Sequence, residues 1–261
     1  MYKLGICIAI ANQKGGVTKT TSTYNIAALI SRKKYKVLMI DLDAQCSLSI
    51  SVGIEPNNEK NNDMLSLLQG KKNAVDCVHR VRNNLDIIPS NPLLSGIEKN
   101  FSSDKSRESI LKQALLSIID KYDYIFIDCP PQLSLFTINA FVVSQYVLIP
   151  CATTYLSYRG IELLINTVNE VIDLELNKDL KVMGVIATLY EKQVIDHREV
   201  LDVMKEKYNV IGTLRKSAEA NKGIYSGSPL VFYNQHHPLS YDYQRIANYI
   251  LRGEFKNGNK S

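Results

Sequence analysis

The run Ala11-Asn12-Gln13-Lys14-Gly15-Gly16-Val17-Thr18-Lys19-Thr20-Thr21 constrains the fold of this chain more than any other stretch. An apolar segment, Ile6 to Ala11, precedes it, and Ile26, Ala27, Leu29 and Ile30 follow at helical spacing. Strand, glycine-bearing loop and helix in that order place backbone N–H groups and a helix dipole around an anion. Lys19 is set to meet a terminal phosphate as a point charge, and the Thr20 hydroxyl to bind Mg²⁺. A Gly/Lys-rich turn without a ligand is the plainer reading of the loop alone. Two strands that end in carboxylates count against it.

The first of these, Val37-Leu38-Met39-Ile40, runs into Asp41-Leu42-Asp43-Ala44-Gln45. The second, Tyr124-Ile125-Phe126-Ile127, runs into Asp128-Cys129-Pro130-Pro131. Carboxylates at the carboxyl ends of strands lie where open α/β sheets bind ligands. Apolar strands alternate with amphipathic helices along the chain, which predicts an α/β fold with a doubly wound, mostly parallel sheet flanked by helices. Ser51 to Asp63 reads as a surface loop before a short helix near Met64–Gln69, and Ile110, Leu111, Ala114, Leu115, Ile118 and Ile119 as one helical face. In the closing helix Leu239, Tyr243, Ile246, Ala247, Ile250 and Leu251 form the inner face, with Asp242 and Arg245 largely opposite.

Lys-Gly-Gly-x-x-Lys-Thr-Thr, beginning at Lys14, resembles the deviant Walker A loop of the ParA/MinD/NifH-like ATPases, whose mark is a second lysine early in the loop. The resemblance extends to Asp41-x-Asp43-x-Gln45 and to Asp128-x-Pro130-Pro131, and spans about Lys3 to Leu251. It implies a short, Soj-like partition ATPase of the ParA family, a P-loop NTPase with ATP and Mg²⁺ as ligands. Gly15, Gly16, Val17, Thr18, Lys19, Thr20 and Thr21 would cradle the phosphates. Thr20 and Asp128 would hold the metal, with Asp41 supporting its shell. Asp43 would orient the attacking water, and Thr188, at the end of the strand Val182–Leu189, would lie near the adenine. Lys14 would cross to the nucleotide of a partner protomer in an ATP-dependent homodimer. The sequence departs from the family at Thr18, where Gly is usual; a side chain there crowds the phosphates or forces an awkward φ, and slow hydrolysis is expected.

The family also implies non-specific DNA binding and a ParB-like, centromere-bound partner that stimulates hydrolysis. Gln193 and Glu219 stand where chromosomal relatives tend to place arginines. Lys192, Arg198, Arg215, Lys216 and Lys222 are the candidates for a rebuilt DNA surface. A nucleotide-switched positioning protein that does not bind DNA remains the alternative, and a metabolic enzyme of the dethiobiotin-synthetase type a third.

Composition fits these readings. A chain of 261 residues with 45% hydrophobic content matches one large α/β domain, expected over residues 1–252, with a polar tail over 253–261. The net charge of +5 suits weak, salt-sensitive DNA contact. Five cysteines without C-x-x-C spacing read as buried reduced thiols and count against an iron–sulfur relative. Met1-Tyr2-Lys3 leads directly into the first strand, so neither a leader nor a membrane anchor is expected, and the location is cytoplasmic, on the nucleoid or other DNA when ATP is bound.

Overall fold

The computed structural model describes residues 5–56, 62–97, 106–220, 222 and 227–256. Its centre is an eight-stranded sheet in the order β3-β4-β2-β5-β1-β6-β7-β8. The strands are β1 (Ile6–Ile10), β2 (Val37–Asp41), β3 (His79–Arg82), β4 (Leu85–Ile88), β5 (Tyr124–Asp128), β6 (Tyr146–Ala152), β7 (Lys181–Tyr190) and β8 (Val210–Arg215). Every pairing is parallel except β3 with β4. The central strands are buried on both faces, as continuous runs such as Val-Leu-Met-Ile require in a covered parallel sheet.

Alternate residues of each strand feed two separate cores. Cys7 and Ala9, Leu38 and Ile40, Ile125 and Ile127 face one side, under α2 (Leu135–Val143), α3 (Tyr155–Asp173) and α4 (Ile195–Lys207). Ile8 and Ile10, Val37 and Met39, Tyr124 and Phe126 face the other, under α1 (Lys19–Arg32) and α5 (Pro238–Arg252). The period of two in the strands thus produces the doubly wound layering.

α1 starts directly at the loop and ends where Lys34 turns into the left-handed region at φ 68°. Its burial is nearly continuous from Ser22 to Ile30, between the sheet and α5. The helix expected over Ile110 to Ile119 is shorter: regular α geometry stops at Leu115, and Ile119–Lys121 continues as a 3₁₀ turn. Asp242 departs from its expected outward place; it is 5% exposed and binds the Arg215 guanidinium. Just after α5, Phe255 packs edge-on against Tyr146 with ring centroids 4.7 Å apart. The tail beyond residue 256 lies outside the described residues. Among the described residues no helix is long and apolar enough to cross a membrane. All five cysteines are free and buried.

Candidate functional site

The loop from β1 to α1 leaves the centre of the sheet with Asp128 beside it, since β1 pairs with β5 and Ile10 is in register with Asp128. Asn12 anchors its start. The side-chain amide donates to the Pro150 carbonyl at 2.7 Å, and its Oδ1 accepts the Lys14 N–H at 2.9 Å. Gly16 turns the chain at φ 74°, and a Cβ on Gly15 or Gly16 would meet no atom within 4 Å. The glycines therefore line open space, as a cradle for an anion requires. Lys19 is 8% exposed and its Nζ donates to the Lys14 carbonyl at 3.3 Å. Burial lowers its pKa, and the Asp128 carboxylate offsets part of that. Lys14, by contrast, has an exposed side chain on the crest of the loop.

Asp41 and Asp128 end neighbouring strands in register. Thr20 Oγ1 donates to Asp128 Oδ2 at 2.6 Å, and Thr23 Oγ1 donates to the Lys19 carbonyl at 3.0 Å and to Asp128 Oδ1 at 3.4 Å. Burial pushes the pKa of both carboxylates up; the charge of Asp41 raises that of Asp128 further, and the charge of Asp43 adds a smaller push to each. Two desolvated carboxylates with one buried lysine nearby leave negative charge to be neutralised. The available donors, a threonine hydroxyl and carboxylate oxygens, are hard, so Mg²⁺ fits the site.

Asp41 lies beneath the segment that carries Asp43. It is fully buried, with Oδ1 taken by the Asp43 N–H at 3.1 Å and Oδ2 by the Ser49 N–H and hydroxyl at 2.9 and 2.7 Å. Ser90 adds to this support by donating its hydroxyl to the Asp43 carbonyl at 2.7 Å. The Asp43 side chain, half-buried, accepts the Gln45 N–H at 2.9 Å. The Thr188 side chain is wholly buried and donates to the Val17 carbonyl at 3.2 Å, so it braces the loop from behind. Asn12, Ser49, Ser90 and Thr23 were not singled out from the sequence, where isolated small polar residues carry no pattern.

The candidate DNA residues do not form one free patch. Arg215 grips buried Asp242 through Nε at 2.6 Å and Nη2 at 2.9 Å. Lys216 pairs with Glu191 at 2.9 Å, and Lys222 pairs with Glu219. Lys192 and Arg198 remain exposed near the start of α4, without an ion pair among the described residues. Three of the five charges are therefore largely compensated within the protomer.

Thr18 adopts φ 68°, ψ 27°, the left-handed region, and its side chain makes no capping bond to α1. Such a backbone costs a β-branched residue about 1–2 kcal/mol, of which glycine's greater unfolded-state freedom returns roughly half. Thr18→Gly is expected to raise Tm by about 1–4 °C in a thermal melt. A fall would mean that the 3.5 Å contact between the Thr18 and Ser22 hydroxyls outweighs the strain.

Comparison with known proteins agrees with this geometry. A family model described as an AAA domain matches residues 5–182. The sporulation initiation inhibitor protein Soj of Bacillus subtilis is 34% identical over 235 residues, covering 88% of this chain and 92% of that protein. A putative plasmid partition protein from Borrelia burgdorferi, solved with AMPPNP, shares the fold with a TM-score of 0.82 at 28% identity, over 95% of this chain and 99% of that one. Cobyrinic acid a,c-diamide synthase from Mycobacterium smegmatis, solved with ADP and magnesium, also gives a TM-score of 0.82 at 28% identity, over 97% of each chain. The two-lysine loop, the paired strand-end carboxylates and this degree of likeness to Soj lead to one assignment: the chain belongs to the ParA/Soj family of P-loop ATPases.

Proposed function

We propose that this ATPase drives DNA partition: it binds ATP with Mg²⁺, closes as a homodimer over two nucleotides, and holds DNA without sequence preference while closed. The observation that carries the reading is the position of Lys14. Its ammonium has no partner among the described residues, whereas Lys19 already supplies the buried charge within the protomer. Beside Lys14 lies an open groove of about 450 Å³ reaching Leu156, Arg159 and Leu163 on α3. Leu156 and Leu163 are 74% and 55% exposed there. A spare cation next to an uncovered apolar strip suits the face of a second copy.

In this reading the loop N–H groups and Lys19 hold the β- and γ-phosphates, and Thr20 and Asp128 hold Mg²⁺. A Mg²⁺ ion held there would supply positive charge against the phosphates. Asp43 orients water, and Lys14 reaches the partner's phosphates as an arginine finger would. Closure joins two weak DNA contacts in one body, so affinity rises without new contacts. A ParB-like centromere-binding partner would speed hydrolysis, open the dimer and release DNA in the cytoplasm. The relatives named Soj and plasmid partition protein support this.

The second reading, an ATP-switched positioning protein that does not bind DNA, draws on the internal pairing of Arg215, Lys216 and Lys222. Light scattering with ADP and then a slowly hydrolysed ATP analogue, followed by a duplex-DNA gel shift, separates the two. A monomer-to-dimer shift with salt-sensitive DNA retention supports partition. A dimer that ignores DNA at low salt supports positioning. No nucleotide-dependent dimer removes both.

A further inference from the structure

Four residues, from the end of β2, the short helix Ser47–Ser51 and the turn after β4, close a ring of hydrogen bonds through the backbone of Asp43. The Asp43 N–H donates to Asp41 Oδ1 at 3.1 Å, and Asp41 Oδ2 accepts the Ser49 hydroxyl at 2.7 Å. Ser49 Oγ in turn accepts the Ser90 N–H at 2.9 Å, and the Ser90 hydroxyl returns to the Asp43 carbonyl at 2.7 Å. Asp41, Ser49 and Ser90 are buried, and Asp43 alone is half-buried. Its carboxylate accepts the Gln45 N–H on Oδ1, while Oδ2 makes no hydrogen bond among the described residues.

Ser90 is the member of the ring that is fixed from outside the Asp43 segment. The Pro89 carbonyl before it accepts the Met64 N–H at 2.8 Å, and the proline ring sets φ there. Asn91 after it is buried; its Nδ2 donates to Asp63 Oδ2 at 2.7 Å and its Oδ1 accepts the Leu93 N–H at 2.9 Å. Asp63 in turn caps the helix Met64–Leu68 by accepting the Ser66 N–H at 2.9 Å. The Asp43 side is far less confined. A cavity of about 170 Å³ lies between Asp43–Gln45, Pro130–Gln132 and Leu94, so that face of the segment has no packed neighbour. The turn is also strained: the Cys46 N–H closes it onto the Asp43 carbonyl at 2.8 Å with Cys46 itself at φ 55°. A strained turn beside open space stays put through its hydrogen bonds. Ser90 supplies the one that reaches Asp43 from another strand.

We propose that Ser90 is a positioning residue for hydrolysis: through the Asp43 carbonyl it fixes where the Asp43 carboxylate stands, and so where the attacking water is held. The inference rests on the reading above in which Asp43 orients water, and it deepens that reading. Carbonyl and carboxylate belong to one residue, so a shift of the first carries the second with it. A displacement of about 1 Å at a reacting centre costs up to about 10²-fold in rate. Nucleotide binding is separate, because no member of the ring hydrogen-bonds to residues 14–21 among the described residues. The fold is also spared when the Ser90 hydroxyl is removed. The Asp43 carbonyl keeps the Cys46 N–H, and the Ser90 N–H keeps Ser49, so no buried group is orphaned.

The test is a double-mutant cycle on the full chain, reading Mg-ATP affinity by titration and the chemical step by single-turnover release of labelled γ-phosphate. Ser90→Ala is expected to bind Mg-ATP within about twofold of wild type and to hydrolyse it about 10- to 100-fold more slowly. Asp43→Ala should be at least about 10²-fold slower, and adding Ser90→Ala to it should cost less than about twofold more. That non-additivity marks a residue acting through Asp43, which general loosening of the fold does not produce. Ser90→Cys keeps the shape with a weaker donor, and should fall between wild type and Ser90→Ala; it replaces Ser90→Ala in the cycle if the alanine variant does not fold. A wild-type rate in Ser90→Ala beside a slow Asp43→Ala would overturn the positioning role and leave Asp43 as the water-orienting group. The same loss from Ser90→Ala in both backgrounds would overturn it as well, since Ser90 would then act elsewhere. Mg-ATP affinity falling in step with the rate would assign Ser90 to the fold alone. A wild-type rate in Asp43→Ala would overturn both readings.

Discussion

Lys14→Ala is expected to bind Mg-ATP within about threefold of wild type and yet lose partner-stimulated hydrolysis by about 10³-fold, the range in which a finger supplied by a neighbouring molecule acts. The separation follows from where the two loop lysines sit. Lys19 is buried and held to the Lys14 carbonyl, so phosphate binding within the protomer depends on it. The Lys14 backbone is fixed by Asn12 through its N–H and by Lys19 through its carbonyl, while its side chain is exposed. Removing that side chain leaves the loop geometry untouched and takes away only an outward charge. Nucleotide titration and single-turnover phosphate release read the two effects separately. Mixing Lys14→Ala with Asp43→Ala protomers sharpens the test, because a mixed dimer contains one site with an intact Asp43 and a donated Lys14. Recovery of part of the rate on mixing supports a lysine supplied in trans. An unchanged rate in Lys14→Ala itself would mean that Lys14 has no part in the chemistry.

Asp128→Asn tests the metal. The buried carboxylate accepts hydrogen bonds from Thr20 and Thr23, and burial beside Asp41 raises its pKa. The neutral amide has the same shape, accepts from Thr20, and can donate to the Thr23 hydroxyl. Removing a desolvated charge should therefore leave Tm without nucleotide unchanged or higher. Ligation of Mg²⁺ should fail, because a divalent cation needs the carboxylate. At Mg-ATP about 100-fold above Kd, wild type gains about 2.7 kcal/mol of stability, a rise of about 5–10 °C for a chain of this size. The variant should rise by less than about 2 °C, with hydrolysis down at least about 10²-fold. A full Mg-ATP stabilisation of Asp128→Asn would show that other groups hold the metal.

The main architecture was legible in the sequence because its determinants are local. Ile6–Ala11, Val37–Ile40 and Tyr124–Ile127 are uninterrupted apolar runs, and the loop, Asp43 and Asp128 sit where such runs stop. The edge strand His79-Arg80-Val81-Arg82 escaped notice because half of its residues are charged and exposed and it pairs only with β4. The contacts of Thr188 and Asp41 escape a local reading: Thr188 reaches the Val17 carbonyl across most of the chain, and Asp41 is held by Ser49, a serine with no pattern around it. Charge counts misled in the same way. Arg215 reads as a free cation until the fold brings Asp242 against it from 27 residues away.

The burial of every cysteine has a practical consequence. Desolvation raises the thiol pKa of Cys7, Cys46, Cys77, Cys129 and Cys151, and only the thiolate reacts readily with maleimides. The native fold thus offers alkylating reagents almost no background. A single surface substitution such as Asn83→Cys, in the exposed turn between β3 and β4, would carry a fluorophore or spin label at a known position. Distances between two such labels across an assembled pair could then be read from the otherwise unmodified protein.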